Sequence, residues 1–177
     1  LDLLQEHYND CPWKLLVSCC LMSRVSSAAV KEKAIALFFK SFATPTDTLA
    51  AEPDDIFPII APLGLFETRF KSIMEVSKRF LTMSPMFQVG LTKELKIYGI
   101  GAFGFDSFNI FCRDYGGKMS PADKNLQSYC RWRKQQPHRK PGIRASQSKR
   151  TTKNVDVKAK KEIKTESLSE TVIKSEV

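Results

Sequence analysis

Apolar side chains recur at every third or fourth position through most of the chain up to Trp132, as they do on the buried face of an α-helix. The first such run extends from Asn9 to Ser23, with Pro12 suited to the first turn of a helix. A second run contains Val30, Ala34 and Leu37. β-branched and polar residues nowhere alternate for more than a few positions, so strand signals are nearly absent. The pattern predicts an all-α body.

Between residues 44 and 83 the pattern predicts two short helices, a turn and one long helix. The short helices fall within Thr44 to Glu52 and Pro53 to Pro62, and Leu63-Gly64-Leu65 turns the chain. The long helix then places its apolar residues on one side. Its basic residues are expected on the solvent side of that helix, namely Arg69, Lys71, Lys78 and Arg79.

Three glycines, Gly99, Gly101 and Gly104, fall within six residues between two apolar segments. Glycine enters positive φ without a steric penalty, so the run predicts a tight hairpin that joins two helices. A turn without side chains also lets backbone N–H groups approach a phosphate closely. After the hairpin, a helix is expected from Ser107 to Asp114, and a last core helix is expected to start at Ser120 to Asp123.

The formal charge of +9 is unevenly distributed. The first hundred residues are balanced, so the excess of lysine and arginine lies beside the hairpin, in 101–136, and beyond it. Residues 137–177 contain no aromatic side chain and predict a basic disordered tail. Lys149-Arg150 and 158–161 are compatible with nuclear import, and Lys164 and Lys174 lie in short sumoylation-like patterns. A solvated charged segment is the simpler interpretation of these patterns.

The five cysteines have no paired spacing that would indicate a metal site, and two of them lie in the first apolar run. Buried, reduced thiols in an intracellular protein are therefore expected. No apolar run has the length of a bilayer span. We expect a soluble protein without a membrane partner.

A helix, a glycine hairpin, a second helix and a downstream acid together resemble the helix-hairpin-helix base-excision DNA glycosylases. Within that superfamily the chain is most similar to the thymine glycosylases that are joined, in animals, to a methyl-CpG-binding domain. The resemblance covers their catalytic domain only, over 1–136. It is carried by Leu3-Leu4-Gln5-Glu6, Pro12-Trp13-Lys14-Leu15-Leu16, Arg24, Pro62-Leu63-Gly64-Leu65, Gly99-Ile100-Gly101, Phe103-Gly104, Asp106-Ser107, Ile110-Phe111-Cys112 and Pro121-Ala122-Asp123. It implies two helical lobes around a DNA-binding cleft.

The resemblance makes Asp123 the catalytic acid. Cleavage of an N-glycosidic bond builds positive charge on the deoxyribose, and a carboxylate stabilises that charge while it orients or deprotonates a water molecule. On local sequence alone, the better explanation of Asp123 is the third-residue acid of a capping box that Ser120 begins, and it is the full set of flanking matches that favours the catalytic role.

Phe103 stands where the strand-cutting members of the superfamily carry a lysine. Without an amine at this position no Schiff base forms with the opened sugar, so a monofunctional enzyme is expected. The most similar relatives have tyrosine here, and the missing hydroxyl leaves the base preference open.

Gln5 matches a pocket glutamine that hydrogen-bonds the edge of an extruded pyrimidine.

Arg24 and Leu65 match the residues that fill the hole left by a flipped nucleotide, one as a charged wedge and the other as an apolar wedge. An ordinary apolar turn residue is the competing interpretation of Leu65.

Cys130 is the last cysteine, so the iron–sulfur cluster of one branch of the superfamily cannot form, and we expect neither metal nor cofactor.

The implied function is excision of thymine or uracil opposite guanine from double-stranded DNA, by a monomer in the nucleus. Two alternatives remain open at this point. One is a glycosylase of the same fold with another damaged base as its substrate. The other is a DNA-binding module that has kept the hairpin and lost the chemistry.

Overall fold

The computed structural model describes residues 2–135, which fold into helices without any strand in that range. The all-α prediction is therefore confirmed. No helix in this range is both long and apolar enough to cross a bilayer. The predicted tail, with Lys164 and Lys174, lies outside the described residues. The α-helices are α1 (Pro12–Met22), α2 (Ala28–Ser41), α3 (Pro45–Ala50), α4 (Pro53–Ile60), α5 (Phe66–Met83), α6 (Ala102–Ser107) and α7 (Lys124–Gln135).

Helix α1 lies at the centre of the core, packed against α2, α5 and α6. Its residues are buried around the whole helix, as expected for a helix whose apolar positions are not confined to one stripe. Trp13 is almost fully buried, and its indole nitrogen donates a hydrogen bond to Ser77 Oγ of α5 at 2.8 Å. This bond satisfies the indole N–H and fixes α1 against α5.

Helix α5 is the second central element and contacts α1, α3 and α4. The expectation that Arg69 lies on its solvent side is wrong, because this side chain is only 6% exposed. Arg69 precedes the buried Ile73 by four residues and Val76 by seven, so the three share one face of the helix. Its charge is accommodated there by backbone carbonyl groups, which sequence periodicity does not reveal.

The segment before the glycine hairpin is not the regular helix that the sequence predicted. It contains only turns, one of them closed by the Lys96 amide, which donates to the Thr92 carbonyl at 2.9 Å. A segment this short recovers too few hydrogen bonds to offset the entropy of helix nucleation. Buried Ile97 and Ile100 fix it to the core instead. The helix after the hairpin begins at Ala102, earlier than predicted, and continues as a π-helix over Phe108–Cys112.

Two short 3-10 segments complete the fold, Leu4–Tyr8 before α1 and Ala61–Leu63 between α4 and α5. The second one is followed by Gly64 and Leu65, so the chain turns at Leu63-Gly64-Leu65, as the sequence predicted. The short helix α3 begins with a reciprocal cap, in which Thr44 Oγ1 accepts from the Asp47 amide and Asp47 Oδ2 accepts from the Thr44 amide.

Candidate functional site

A cleft of about 360 Å³ lies between the end of α1, the start of α5 and the glycine hairpin. Three separate parts of the chain meet in its wall, so the cleft exists only in the folded protein. Six of the residues singled out from the sequence line it: Arg24, Leu65, Gly99, Gly101, Phe103 and Gly104. Gln5 and Asp123 are not in its wall.

The two predicted wedge residues share an unusual backbone conformation. Arg24 has φ 59° and Leu65 has φ 51°, in the left-handed region that non-glycine residues seldom occupy. Both side chains are exposed, Leu65 to 59%. The Arg24 guanidinium makes no hydrogen bond or ion pair with any residue in 2–135. Strained backbone that presents an unsatisfied side chain is more typical of functional sites than of ordinary turns.

Arg69 connects the loop that contains Arg24 with the loop that contains Leu65. Its Nε donates to the Gly64 carbonyl at 2.8 Å, and its Nη2 donates to the Ser23 carbonyl at 2.9 Å and to the Leu63 carbonyl at 3.2 Å. Its Nη1 donates to the Cys20 carbonyl. Sequence reasoning missed this role. The available signal was the position of Arg69 on the same helical face as Ile73.

The electrostatic setting of Arg69 is unusual for a buried cation. Burial lowers the pKa of its guanidinium, and the nearby positive charge of Arg24 lowers it further. No carboxylate of residues 2–135 pairs with it. Its charge faces carbonyl groups at the end of α1, where the helix dipole is negative, and this arrangement is favourable for a cation.

Gly99 is required by the packing of the hairpin. It has φ 79°, and a Cβ at this position would lie 2.0 Å from Ser72 Oγ of α5. Gly101 differs, because a Cβ placed there meets no heavy atom of residues 2–135 within 4 Å. The surface at Gly101 is therefore open to an approaching ligand. At the residue before Gly99, Lys71 Nζ lies 4.6 Å from the centre of the half-exposed Tyr98 ring.

Phe103 is half-buried in the first turn of α6, directly after the hairpin. Its ring packs against the core and contributes to the cleft wall. At the next residue, Gly104, there is less room for a side chain than at Gly101, because a Cβ there would lie 3.0 Å from Ile100 Cγ2. The tight contact at Gly104 seats α6 on the hairpin.

Asp123 immediately precedes α7 and is half-buried. Its Oδ1 accepts hydrogen bonds from the amides of Asn125 at 2.9 Å and Leu126 at 3.0 Å. Asp123 is thus itself the N-cap, and not the third residue of a box begun by Ser120. Its Oδ2 has no hydrogen-bond partner among residues 2–135. One carboxylate oxygen is fixed by the helix while the other stays available.

Gln5 is 5% exposed in the first 3-10 segment, and its amide makes no side-chain hydrogen bond within the described range. The neighbouring Glu6 Oε1 accepts a hydrogen bond from Tyr129 Oη of α7 at 2.8 Å. Burial and this bond to Glu6 raise the pKa of Tyr129, so its hydroxyl remains a donor. The structure therefore attaches the Gln5 segment to the helix that Asp123 caps.

All five cysteines are free thiols. Burial raises the pKa of Cys19 and of Cys20 to about 12, so neither is a nucleophile near neutral pH although both border the cleft. Within 2–135 no group of three or more histidine, cysteine, aspartate or glutamate residues is arranged to hold a metal ion.

No protein-family model matches the chain. The chain is 33% identical over 129 residues to a methyl-CpG-binding domain protein 4-like protein from Arabidopsis thaliana. The match covers 72% of this chain and 27% of that relative, so the chain spans about a quarter of the length of the curated relative it matches. Most of the chain is therefore similar to one part of a larger protein.

Proposed function

We propose that the chain is a monofunctional DNA glycosylase that hydrolyses the N-glycosidic bond of thymine or uracil opposite guanine in double-stranded nuclear DNA. The observation that carries the proposal is the convergence of two strained, exposed wedge residues, Arg24 and Leu65, on the cleft that the hairpin and Phe103 also line. The similarity to a protein named for methyl-CpG binding supports DNA as the substrate class.

In this proposal the hairpin holds the DNA backbone. Gly101 leaves open space in front of its backbone, which allows a phosphate to approach closely. Lys71, over the ring of Tyr98 at the start of the hairpin, adds positive charge to this part of the surface. These contacts carry no sequence information, and their function is to hold the strand at the cleft.

The wedges keep the nucleotide out of the duplex. Extrusion of a base costs a few kcal/mol of lost stacking and pairing, and the cost is smaller at a mismatch. Leu65 offers an apolar side chain to the neighbouring bases, and Arg24 offers a cation to the phosphates and base edges. The Arg24 guanidinium has no hydrogen bond or ion pair within 2–135 to break before it enters DNA, and the Leu65 side chain is mostly exposed.

Asp123 supplies the chemistry in this proposal. The two amide groups at Oδ1 orient its carboxylate, and Oδ2 is left to orient or deprotonate water and to stabilise the positively charged sugar. Phe103 provides an aromatic wall for the extruded base and no amine for Schiff-base chemistry. The product is an intact strand with an abasic site.

One observation favours a second candidate, a DNA-binding module without catalysis. Asp123 and Gln5 lie outside the wall of the cleft that the wedges and the hairpin share. A protein that only binds distorted DNA needs the wedges and the hairpin and has no need of an acid. Phe103 stands where similar enzymes have tyrosine and lacks the hydroxyl that could contact the extruded base. A glycosylase of the same fold that acts on another base therefore remains an alternative.

The test is incubation of the protein with duplexes that carry G·T, G·U or a damaged pair, followed by hot alkali. We expect strand breaks at G·T and G·U only after alkali. Asp123→Asn should bind the mismatched duplex and lose excision by about 1000-fold, because it keeps the cap and removes the negative charge. The control is a fully paired duplex.

Other outcomes contradict particular parts of the proposal. Breaks without alkali contradict the monofunctional mechanism inferred from Phe103. Excision confined to a damaged base contradicts the thymine and uracil preference. Tight mismatch binding without excision of any base supports the binding module, and undiminished excision by Asp123→Asn removes its catalytic role.

A further inference from the structure

We infer that Arg69 is a positioning residue that holds the two wedge loops as one unit, so that Arg24 and Leu65 enter the duplex together. This inference rests on the proposed function for its meaning in DNA. The coupling of the two loops is a property of the free protein and can be measured without DNA.

The hydrogen bonds of Arg69 divide between the two loops. Nη1 and Nη2 reach the carbonyls of Cys20 and Ser23, on the side of Arg24. Nε and Nη2 reach the carbonyls of Gly64 and Leu63, on the side of Leu65. Each wedge directly follows a residue whose carbonyl Arg69 binds. The planar guanidinium offers several N–H donors in a rigid fork, whereas a lysine ammonium has a single centre and cannot span the same acceptors.

Arg69 also explains how two strained residues persist side by side. A non-glycine residue keeps a left-handed conformation only when the contacts around it stabilise that backbone by more than the strain costs. Both strained positions lie next to carbonyls fixed by the same buried side chain. Removal of Arg69 should therefore release the Arg24 loop and the Leu65 loop together.

The buried charge acts on the wedge itself. Arg69 has no carboxylate partner within 2–135, and its positive charge is close enough to Arg24 to lower its own pKa through repulsion. The same repulsion favours an outward direction for the Arg24 guanidinium, away from the cleft floor and toward a polyanion. A neutral residue at 69 would remove both the bridge and this repulsion.

The first measurement is hydrogen exchange of the free protein, which needs no substrate. We expect Arg69→Met to accelerate amide exchange about tenfold or more in both loops, 23–25 and 64–66, while the amides of α2 keep their wild-type rates. Acceleration in one loop only, or in neither, overturns the inference. Arg69→Lys keeps the charge without the fork and should resemble Arg69→Met. If Arg69→Met does not fold, Arg69→Lys carries the test.

The second measurement is a mutant cycle in single-turnover excision from a G·T duplex. Arg69→Met should lower the rate about 30-fold in the wild-type background and less than about 3-fold when Arg24 and Leu65 are already alanine, because the positioned groups are absent there. A purely structural role predicts equal losses in both backgrounds and overturns the inference. Arg131→Met removes an exposed arginine of α7 and serves as the control for charge.

A 2-aminopurine base beside the mismatch separates this inference from the proposed function. Its fluorescence rises when the neighbouring base is unstacked, whether or not a bond is cleaved. A rise with the wild-type protein that is lost in Arg69→Met supports the inference even if no base is excised. Wild-type excision that persists in Arg69→Met, with unchanged fluorescence and exchange, overturns the inference and leaves the proposed function standing.

Discussion

The cleft, with the two predicted wedge residues Arg24 and Leu65, and the start of α7, with Asp123, are held in place in opposite ways. At the cleft, two loops with left-handed residues are held from inside the core by the buried Arg69. At α7, the Asp123 carboxylate is held by the amides of its own helix. Long-range contacts then attach α7 to the rest of the fold, through Tyr129 to Glu6 and through Arg133 to Asp114 at 3.2 Å.

The two regions therefore relate stability to the proposed function in different ways. At the cleft, strain and exposure serve the proposed DNA contact and lower stability, so substitutions that relax the loops should stabilise the protein and impair excision. At Asp123, one carboxylate both caps a helix and performs the proposed chemistry. There an isosteric amide should remove the chemistry and leave the cap.

The largest effect outside Asp123 and Arg69 is expected from glycine at the wedges. Leu65→Gly and Arg24→Gly each relieve a strained left-handed residue and should raise the free energy of unfolding by up to about 1 kcal/mol. Each should also lower excision from a G·T duplex about 30-fold, because nothing fills the space of the flipped nucleotide. Urea unfolding and single-turnover kinetics measure the two quantities.

A control for these substitutions has to introduce glycine at a left-handed position outside the two loops. Leu37→Gly does not meet this requirement, because Leu37 lies inside α2, where glycine would weaken the helix. Asp114→Gly is the better control, since Asp114 has φ 56° and lies in neither wedge loop. It loses the ion pair with Arg133 and should not gain stability. Excision that survives both wedge substitutions contradicts their assigned role.

An intermediate effect is expected from alanine at two hairpin glycines. Gly99→Ala introduces a Cβ at 2.0 Å from Ser72 Oγ in a positive-φ position and should destabilise the protein by about 2 kcal/mol or more. Gly101→Ala meets no atom of residues 2–135 and should leave the melting temperature almost unchanged. It should instead weaken DNA binding about tenfold if a phosphate occupies that space.

Thermal unfolding and fluorescence anisotropy with a labelled mismatched duplex distinguish these two glycines. The pair is a matched comparison, because both substitutions add one methyl group to the same hairpin. Equal DNA affinity of Gly101→Ala and the wild type would exclude close phosphate contact at this position. Unchanged stability of Gly99→Ala would contradict the contact with α5.

The smallest effect is expected in the stability of Asp123 variants. Asp123→Ala removes the acceptor for two helix amides and should destabilise the protein by about 1 kcal/mol, whereas Asp123→Asn retains an oxygen acceptor and should remain near the wild type. Urea denaturation at neutral pH measures both. Equal stability of the alanine and asparagine variants would show that the cap contributes nothing to stability. It would then be wrong that Asp123 combines a structural role with the proposed chemistry, in contrast to the residues of the cleft.

Helical spacing and end signals were enough to predict most of the body. The run with Pro12 became α1, and the segment after Thr44 became α3 with its reciprocal cap. Local signals failed where tertiary contacts dominate. The segment before the hairpin is held by two buried isoleucines without forming a helix, and Arg69 is buried although its charge suggested solvent.

From the sequence by itself, the glycine run, Arg24 among serines and Asp123 near a helix start could be singled out, because these predictions depend on residue type and local spacing. The prediction for Phe103 came from the family resemblance and not from its own neighbourhood. Only the tertiary structure decided that Arg24 and Leu65 face one cleft, that Arg69 bridges their loops and that Asp123 caps α7 outside that cleft wall. Such relations depend on carbonyl positions and on close packing between distant segments, which side-chain periodicity does not encode.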